Sequence, residues 1–503
     1  MVEIAVMTIF SLLAADRLEE AEDRLRLAIS TLSSMRSDLN DAYNRSIFDT
    51  QLYTYNLLQQ VLIHMGKHEA ALEISEQGRA RALMDLLTSR QASYASASIT
   101  NQLPTLAQIQ QIARQQNATM VEYTLVPEDE FKFQGKLRGR ATGLYIWVVQ
   151  PTGEVAFRQV DLNREDLQLK DLIQFSRNAF GVRSRGGFEP VLSEGPTETE
   201  QLQKLHQLLI EPIIDLLPAD EDDLVVFIPQ EGLFMVPFPA LKDANGQYLI
   251  QQHTILTAPA IQMLDLTRIQ RERLEVNGHM ASGQAASTAL QKDDLLIVGN
   301  PEMPNVWVSS DEPDRQLASL PGAEQEALAI AKFFDTQALT NSEATETTLK
   351  QQMPDARVIH LATHGLLEYG QPKDSGVQDV PGAIALTPGD GEDGLLTANE
   401  IQNLSLNAEL VVLSACNTGL GEITGDGVIG LSRSLITAGA PSVIVSLWAV
   451  PDAPTAELMT EFYRQWRSGL DKAQALRRAM LVTMETHPEP RDWAVFTLIG
   501  EAK

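Results

Sequence analysis

Hydrophobic residues recur at helical spacing in the first ninety positions of the chain. Residues 14–29 and 64–87 place apolar side chains three or four positions apart, which predicts two helical segments. Glu19 and Glu69 occupy corresponding places, an offset longer than the 34-residue tetratricopeptide period. We interpret residues 1–90 as a degenerate tetratricopeptide-like helical region, with a plain helical bundle as the alternative, and residues 91–117 as a linker with a helix.

The pattern changes to short apolar runs, rich in β-branched residues, from residue 118 onward. Residues 143–149 and 155–160 predict a hairpin, and from about residue 295 strand-like runs alternate with helical segments. Such alternation is typical of a parallel sheet with right-handed crossovers. The predicted fold class is α/β, with a largely parallel sheet flanked by helices in residues 118–503 and an all-α region before it.

Two of the apolar runs end in residues with catalytic chemistry. The first stops at His364 and Gly365, and the second at Cys416, the single cysteine of the chain. Chemistry in open α/β sheets lies at the carboxyl ends of strands, so neighbouring strands would bring this imidazole and thiol together. His364 would take the thiol proton, and Cys416 would attack a carbonyl carbon. Backbone N–H groups of Gly365 and Cys416 would bind the oxyanion. The alternative is a core cysteine and a structural histidine.

The net charge and the cysteine content limit the class of partner and the cellular compartment that the sequence predicts. The net charge of −28 argues against nucleic acid or an anionic membrane surface as the main partner. A single cysteine excludes an intramolecular disulfide and predicts a reducing, cytoplasmic location. Residues 4–15 resemble a short signal-peptide core, but no Lys or Arg precedes them. The apolar stretch 435–450 is interrupted by Gly439 and Pro441, so it does not predict a membrane span.

Acidic residues lie close in sequence to Cys416. Glu422, Asp426 and Asp452 are candidates for a pocket that receives a basic side chain beside the scissile bond. The alternative is a set of solvated loop carboxylates.

Two further patterns point to other chemistry. Gly425–Gly430 matches the G-x-G-x-x-G dinucleotide pattern, but it begins well after its strand and leaves too little chain for the second half of that fold. His360 lies on the same predicted strand as His364 and is expected to be a packed residue. No zinc pattern is present, so the sequence predicts no metal and no cofactor.

Several short blocks of sequence occur in a recognisable order. They are Gly299–Pro301 (GNP), Leu320–Glu324 (LPGAE), His360–Gly365 (HLATHG), Asp393–Glu400 (DGLLTANE), Ser414–Gly419 (SACNTG) and Ser446–Trp448 (SLW). Together they resemble the CHAT domain, a caspase-like domain associated with tetratricopeptide repeats. The resemblance implies a caspase-like α/β fold and carries the catalytic base onto His364 and the nucleophile onto Cys416. The family's usual Gly-Glu-Gly is Gly-Asp-Gly at 425–427 here.

These observations lead to one main hypothesis and two alternatives. The resemblance implies a cysteine endopeptidase of the caspase and separase group that acts on a protein substrate. The acidic residues near Cys416 predict cleavage after a basic residue. A regulatory protein would bind the N-terminal helices. The first alternative is a catalytically silent signalling scaffold or interaction module, and the second is a nucleotide-binding enzyme that uses Gly425–Gly430.

Overall fold

The computed structural model describes most of the chain in separate ranges. These are residues 12, 15–36, 54–79, 87, 103–127, 141–163, 168–179, 197–278, 290–306, 314–366, 382–415, 422–424, 427–448 and 452–503. Within them, strands and helices alternate along much of the chain.

The strands are short, and most of the longer ones are buried. They are β1 Ala118–Pro127, β2 Ala141–Val149, β3 Val155–Asp161, β4 Leu224–Ile228, β5 Thr254–Thr257, β6 Leu295–Pro301, β7 Asn305–Val306, β8 Arg315–Gln316, β9 Leu339–Asn341, β10 Val358–Ala362, β11 Gly365–Leu366, β12 Ala383–Ala385, β13 Leu395–Thr397, β14 Leu410–Ser414, β15 Glu422–Thr424, β16 Gly427–Ile429, β17 Ser442–Ser446 and β18 Phe496–Gly500.

The helices flank these strands. They are α1 Leu18–Arg36, α2 His68–Gln77, α3 Leu106–Gln116, α4 Leu169–Ala179, α5 Glu198–Leu209, α6 Leu249–Gln252, α7 Ile261–Val276, α8 Pro321–Phe334, α9 Glu346–Gln352, α10 Ala398–Asn403, α11 Leu431–Ala438, α12 Asp452–Arg467, α13 Lys472–Thr486 and α14 Pro490–Trp493. Residues 54–64 are also helical. No helix in the described ranges is both long and apolar enough to cross a membrane.

Eleven of the described strands form one sheet, in the order β3-β2-β1-β4-β5-β18-β17-β14-β10-β6-β9. Neighbours pair in parallel from β1 to β18 and again from β17 to β9. The antiparallel pair β17–β18 reverses the direction between these two sets. This architecture confirms the predicted α/β class with a largely parallel sheet flanked by helices.

The central strands carry continuous apolar runs because helices cover both of their faces. Every residue of β10, β14 and β17 is buried. This pattern is typical of parallel strands, whereas a half-exposed strand alternates apolar and polar residues. The expectation that the two strands ending near His364 and Cys416 are neighbours is confirmed, since β10 pairs with β14.

The N-terminal helices dock directly onto this sheet through polar contacts. The indole Nε1 of Trp147 on β2 donates to the carbonyl oxygen of His68, the first residue of α2, at 2.9 Å. The Glu76 carboxylate, also on α2, accepts from the backbone N–H groups of Ile261 and Gln262 at the start of α7. These contacts fix α2 against the sheet at two points.

Helix α8 sits against β6 at a position where only glycine fits. A Cβ placed on Gly299 would lie 2.5 Å from the Ala327 Cβ and 2.6 Å from the Ala323 carbonyl oxygen. We therefore expect Gly299→Ala to push α8 off the sheet and to lower the free energy of unfolding by about 1–3 kcal/mol. Urea denaturation measures this loss.

Gly232 provides the control for that experiment. A Cβ there would meet only the flexible Met235 Cε at 3.9 Å, so Gly232→Ala should leave stability unchanged or slightly raised. Equal stability of the two variants would contradict the tight contact at Gly299.

Candidate active site

The two candidate catalytic positions follow neighbouring strands in register. Ala362, the last residue of β10, pairs with Ser414, the last residue of β14. His364 and Cys416 each lie two residues beyond this pair in sequence. Cys416 itself lies outside the described residues, so its pairing with His364 stays a prediction. The preceding residue, Ala415, is buried, and its carbonyl oxygen accepts a hydrogen bond from the Ser446 hydroxyl at the end of β17.

A backbone carbonyl orients the imidazole of His364. The ring is partly exposed, and its Nε2 lies 2.7 Å from the carbonyl oxygen of Ala318. A carbonyl oxygen only accepts hydrogen bonds, so Nε2 must carry a proton. In the neutral ring, Nδ1 is then the atom with a free lone pair. This tautomer suits a general base that receives a proton at Nδ1.

Asn300, at the end of β6, holds the segment that contains Ala318. Its Oδ1 accepts from the Leu320 N–H at 2.7 Å and from the Ser319 hydroxyl at 3.1 Å, and its Nδ2 donates to Glu324. Ala318 acts through its backbone, which carries no side-chain signal in the sequence, so its role was not predicted. The blocks GNP at 299–301 and LPGAE at 320–324, which flank these contacts, were the available clue.

The backbone on the other side of His364 is fixed by a small sheet. The His364 carbonyl oxygen accepts from the Ala385 N–H at 3.0 Å, and the Thr363 hydroxyl donates to the Ala385 carbonyl oxygen at 2.8 Å. Gly365 pairs with Ile384 in the antiparallel pair β11–β12. Because the bond to Ala385 makes this a non-hydrogen-bonded pair, the Gly365 N–H points away from β12. Its binding of an oxyanion stays a prediction.

The three acidic pocket candidates are only partly described. Glu422 is the first residue of β15 and Asp452 the first of α12, and the side chains of both lie outside the described set. Asp426 lies outside the described residues altogether. The acidic pocket therefore stays a prediction.

A separate cleft lies between helix α11 and the two 3₁₀ helices after β4, Glu231–Met235 and Phe238–Ala240. Its lining is mostly apolar, with Phe234, Phe238 and Leu447 among the residues, and includes the buried Arg433. The predicted basic preference stays assigned to the acidic residues that follow Cys416 in sequence.

One group of carboxylates has the spacing of a metal site but already holds a cation. Carboxylate oxygens of Glu346, Glu392 and Glu400 lie within 4.8 Å of one another. The Lys350 ammonium lies 2.6, 3.1 and 2.7 Å from them, respectively. Burial alone would lower the pKa of Lys350, but hydrogen bonds to the three carboxylates outweigh it and raise that pKa well above its usual value. A metal ion would have to displace the lysine.

The lysine cluster supports the small sheet beside His364. Glu346 accepts from the Gly394 N–H next to β13, while Glu400 caps α10 through Thr397. We infer that the cluster is structural, because Lys350 contacts all three carboxylates and two of them also bond to the ends of β13 and α10.

The glycine-rich segment does not have the context of a dinucleotide site. That motif needs a buried strand, a tight turn and a helix in direct succession. Here residues 427–429 form β16, which pairs antiparallel with β15, and α11 begins only at Leu431. The geometry therefore disfavours the nucleotide-binding alternative.

Comparison with known proteins identifies related chains. The family model of the CHAT domain matches residues 199–501. Human Tetratricopeptide repeat protein 28 is 26% identical over 97% of this chain, and its mouse counterpart is equally similar. The chain spans about a quarter (24%) of the length of these curated relatives.

Two solved structures have a similar arrangement of strands and helices. Separase from Saccharomyces cerevisiae, in complex with securin, gives a TM-score of 0.49 at 11% identity, covering 96% of this chain and 37% of that chain. The Arg-specific cysteine proteinase gingipain R gives 0.37 at 12% identity, covering 66% and 74%. Since the family model matches more than half of the sequence, the chain belongs to the CHAT domain family.

Proposed function

We propose that this protein is a cysteine endopeptidase that uses His364 and Cys416 as a catalytic dyad. The proposal rests on the orientation of His364. The Ala318 carbonyl holds the Nε2 proton and leaves Nδ1 as the base, at the end of a strand that pairs with the strand leading to Cys416. The CHAT domain family resembles the caspases and separases, and the match to this family supports the same assignment of base and nucleophile.

The proposed reaction follows from this tautomer. Nδ1 of His364 takes the thiol proton, and the Cys416 sulfur bonds to the carbonyl carbon of the scissile peptide. The N–H groups of Gly365 and Cys416 stabilise the oxyanion. The C–N bond then breaks as His364 returns the proton to the leaving amine. Water hydrolyses the thioester and restores the thiol. No metal or cofactor enters these steps.

We propose a protein substrate with a basic residue before the cut. Glu422, Asp426 and Asp452 follow Cys416 closely in sequence and would supply the negative charge that binds Lys or Arg. A panel of fluorogenic peptides with Lys, Arg, Leu or Asp before the cut tests this preference. Fastest cleavage after Asp would refute the acidic pocket without affecting the dyad.

Regulation through the N-terminal helices is part of the proposal. Arg79 follows α2, and its Nη1 donates to the Pro229 carbonyl oxygen at 3.0 Å. Pro229 leads into the 3₁₀ helix Glu231–Met235, which packs against β15 and β16. Those strands begin six positions after Cys416. A protein that binds the helices would therefore act on the loop beside the nucleophile, in a cytosolic setting that suits a free thiol.

The alternative function is a catalytically silent interaction module. The curated relatives are named for tetratricopeptide repeats, which favours protein binding as the main activity. In that case Cys416 would be an ordinary thiol.

The rate of Cys416 alkylation against pH separates the two functions. The chain has one cysteine, so iodoacetamide reports on this thiol alone. A peptidase dyad should give fast alkylation with an apparent pKa well below about 8.5, lost in His364→Ala. A slow rate with an ordinary pKa in both proteins would refute the dyad and support the interaction module.

A further inference from the structure

A buried polar network lies beneath the proposed dyad and joins its two strands. Glu326 on α8, His360 on β10, Ser414 on β14 and Tyr463 on α12 are all nearly or fully buried. Glu326 is the centre. Its Oε1 lies 3.0 Å from His360 Nε2, and its Oε2 accepts from the Ser414 hydroxyl at 3.0 Å. The other ring nitrogen of His360, Nδ1, lies 3.0 Å from the Tyr463 hydroxyl oxygen.

One assignment of protons satisfies every member of this network. Tyr463 donates its hydroxyl proton to Nδ1 of His360, and burial raises the pKa of Tyr463 so that this proton is retained. Neutral His360 then carries its proton on Nε2 and donates to Glu326. The ionised Glu326 accepts from His360 and Ser414, one hydrogen bond at each carboxylate oxygen. Fully satisfied buried networks of this kind define a single geometry, because any displacement leaves a polar atom unpaired.

The position of the network connects it to the active site. Ser414 lies two residues before Cys416, and His360 lies four before His364. Glu326 therefore links the middle of β10 and the end of β14 to one point on α8. The same helix begins three residues after Ala318, whose carbonyl orients His364, and it is seated closely on β6 by Gly299.

We propose that Glu326 is a positioning residue for the dyad, fixing the strand end before Cys416 relative to the strand and loop that hold His364. The proposal rests on the peptidase function but concerns residues that touch neither substrate nor the reacting atoms. Its role is to keep the thiol within reach of Nδ1 of His364. A thiolate held by an imidazolium needs this proximity, since the attraction between the two charges decreases with distance.

Ser414→Ala is the least disruptive test. It removes one hydrogen bond to Glu326 and leaves the bond to His360. We expect alkylation of Cys416 at pH 7 to slow by about 2- to 10-fold, the effect of one hydrogen bond, with the apparent pKa moving up towards 8.5. The melting temperature is recorded in parallel.

Ser442→Ala is the matched control. Ser442 is also fully buried, and its hydroxyl donates to the Glu501 carbonyl oxygen at 2.6 Å at the start of β17, which is the opposite end of the parallel strands. Ser442→Ala should lower the melting temperature about as much as Ser414→Ala does. It should leave the alkylation rate within about twofold of that of the unmodified protein. Equal slowing in both serine variants would mean general loosening of the sheet and would overturn the proposal.

Two substitutions of Glu326 complete the experiment. Glutamine can accept from His360 and donate to Ser414, so Glu326→Gln should alkylate at nearly the unmodified rate. Glu326→Ala removes both links and should be slower than Ser414→Ala. If the alanine variant does not fold, Ser414→Ala and Glu326→Gln still decide the question.

Failure of this proposal is distinguishable from failure of the dyad. If His364→Ala slows alkylation and the folded Ser414→Ala and Glu326→Ala variants do not, the dyad stands and Glu326 does not position it. If His364→Ala matches the unmodified protein, the dyad is absent and the positioning role falls with it.

Discussion

Cys416→Ala is expected to abolish peptide cleavage, and His364→Ala to reduce kcat/KM by about 10²- to 10⁴-fold, the usual contribution of a general base. Cys416 would provide the attacking sulfur, for which alanine has no substitute. The loss at His364 follows from its geometry, because the Ala318 carbonyl fixes the tautomer that leaves Nδ1 free to accept the proton. The measurement is kcat/KM on the best peptide of the fluorogenic panel.

Folding must be checked beside activity in both variants. His364 is partly exposed and makes one described side-chain hydrogen bond, so its replacement should change the melting temperature little. His487→Ala is the matched control, since this partly exposed histidine contacts only Glu457 among the described charged groups and lies on the segment after α13. Cleavage that persists in Cys416→Ala would refute the nucleophile assignment, and equal activity of the two histidine variants would refute the base.

Much of the sheet could be predicted because its signal is local. The run LVVL at 410–413 is wholly apolar, which is typical of a strand buried on both faces. The small residues that follow mark the strand end, and parallel neighbours bring such ends to one edge of the sheet. His364 and the strand before Cys416 were therefore located from short stretches of sequence.

The remaining features depend on contacts between distant parts of the chain. Ala318 is 46 positions before His364 and acts through a backbone oxygen. His360 contacts Glu326, which is 34 positions away in sequence, and Tyr463, which is 103 positions away. The prediction that His360 is a packed residue therefore carried no information on its partners. Long-range pairing also determines the reversal of direction at β17–β18.

The N-terminal helices meet the sheet at a buried cluster of charges. Arg79 Nε donates to the Glu122 carboxylate on β1 at 2.8 Å, and the Arg79 guanidinium also donates to the Tyr123 carbonyl oxygen. Arg79 is 6% exposed and Glu122 is fully buried. Burial raises the pKa of the nearby Glu76, and the Glu122 carboxylate raises it further.

Arg79→Met should destabilise the protein strongly because it leaves Glu122 buried without a cation. Removing one partner of a buried ion pair typically costs about 3–5 kcal/mol, since the remaining charge is neither solvated nor paired. Adding Glu122→Gln removes that charge, and the double variant should recover part of the loss. Urea denaturation of the single and double variants measures both effects.

Arg478→Met is the control for charge removal in general. Arg478 is 40% exposed and contacts Glu221 and Asp222, each 51% exposed, at 3.5 and 3.3 Å. Exposed pairs of this kind contribute less than about 1 kcal/mol. A loss at Arg79 no larger than at Arg478 would mean that the cluster does not hold the helices on the sheet. A large loss would identify Arg79 as a residue that links α2 to the sheet through Glu122, Tyr123 and Pro229.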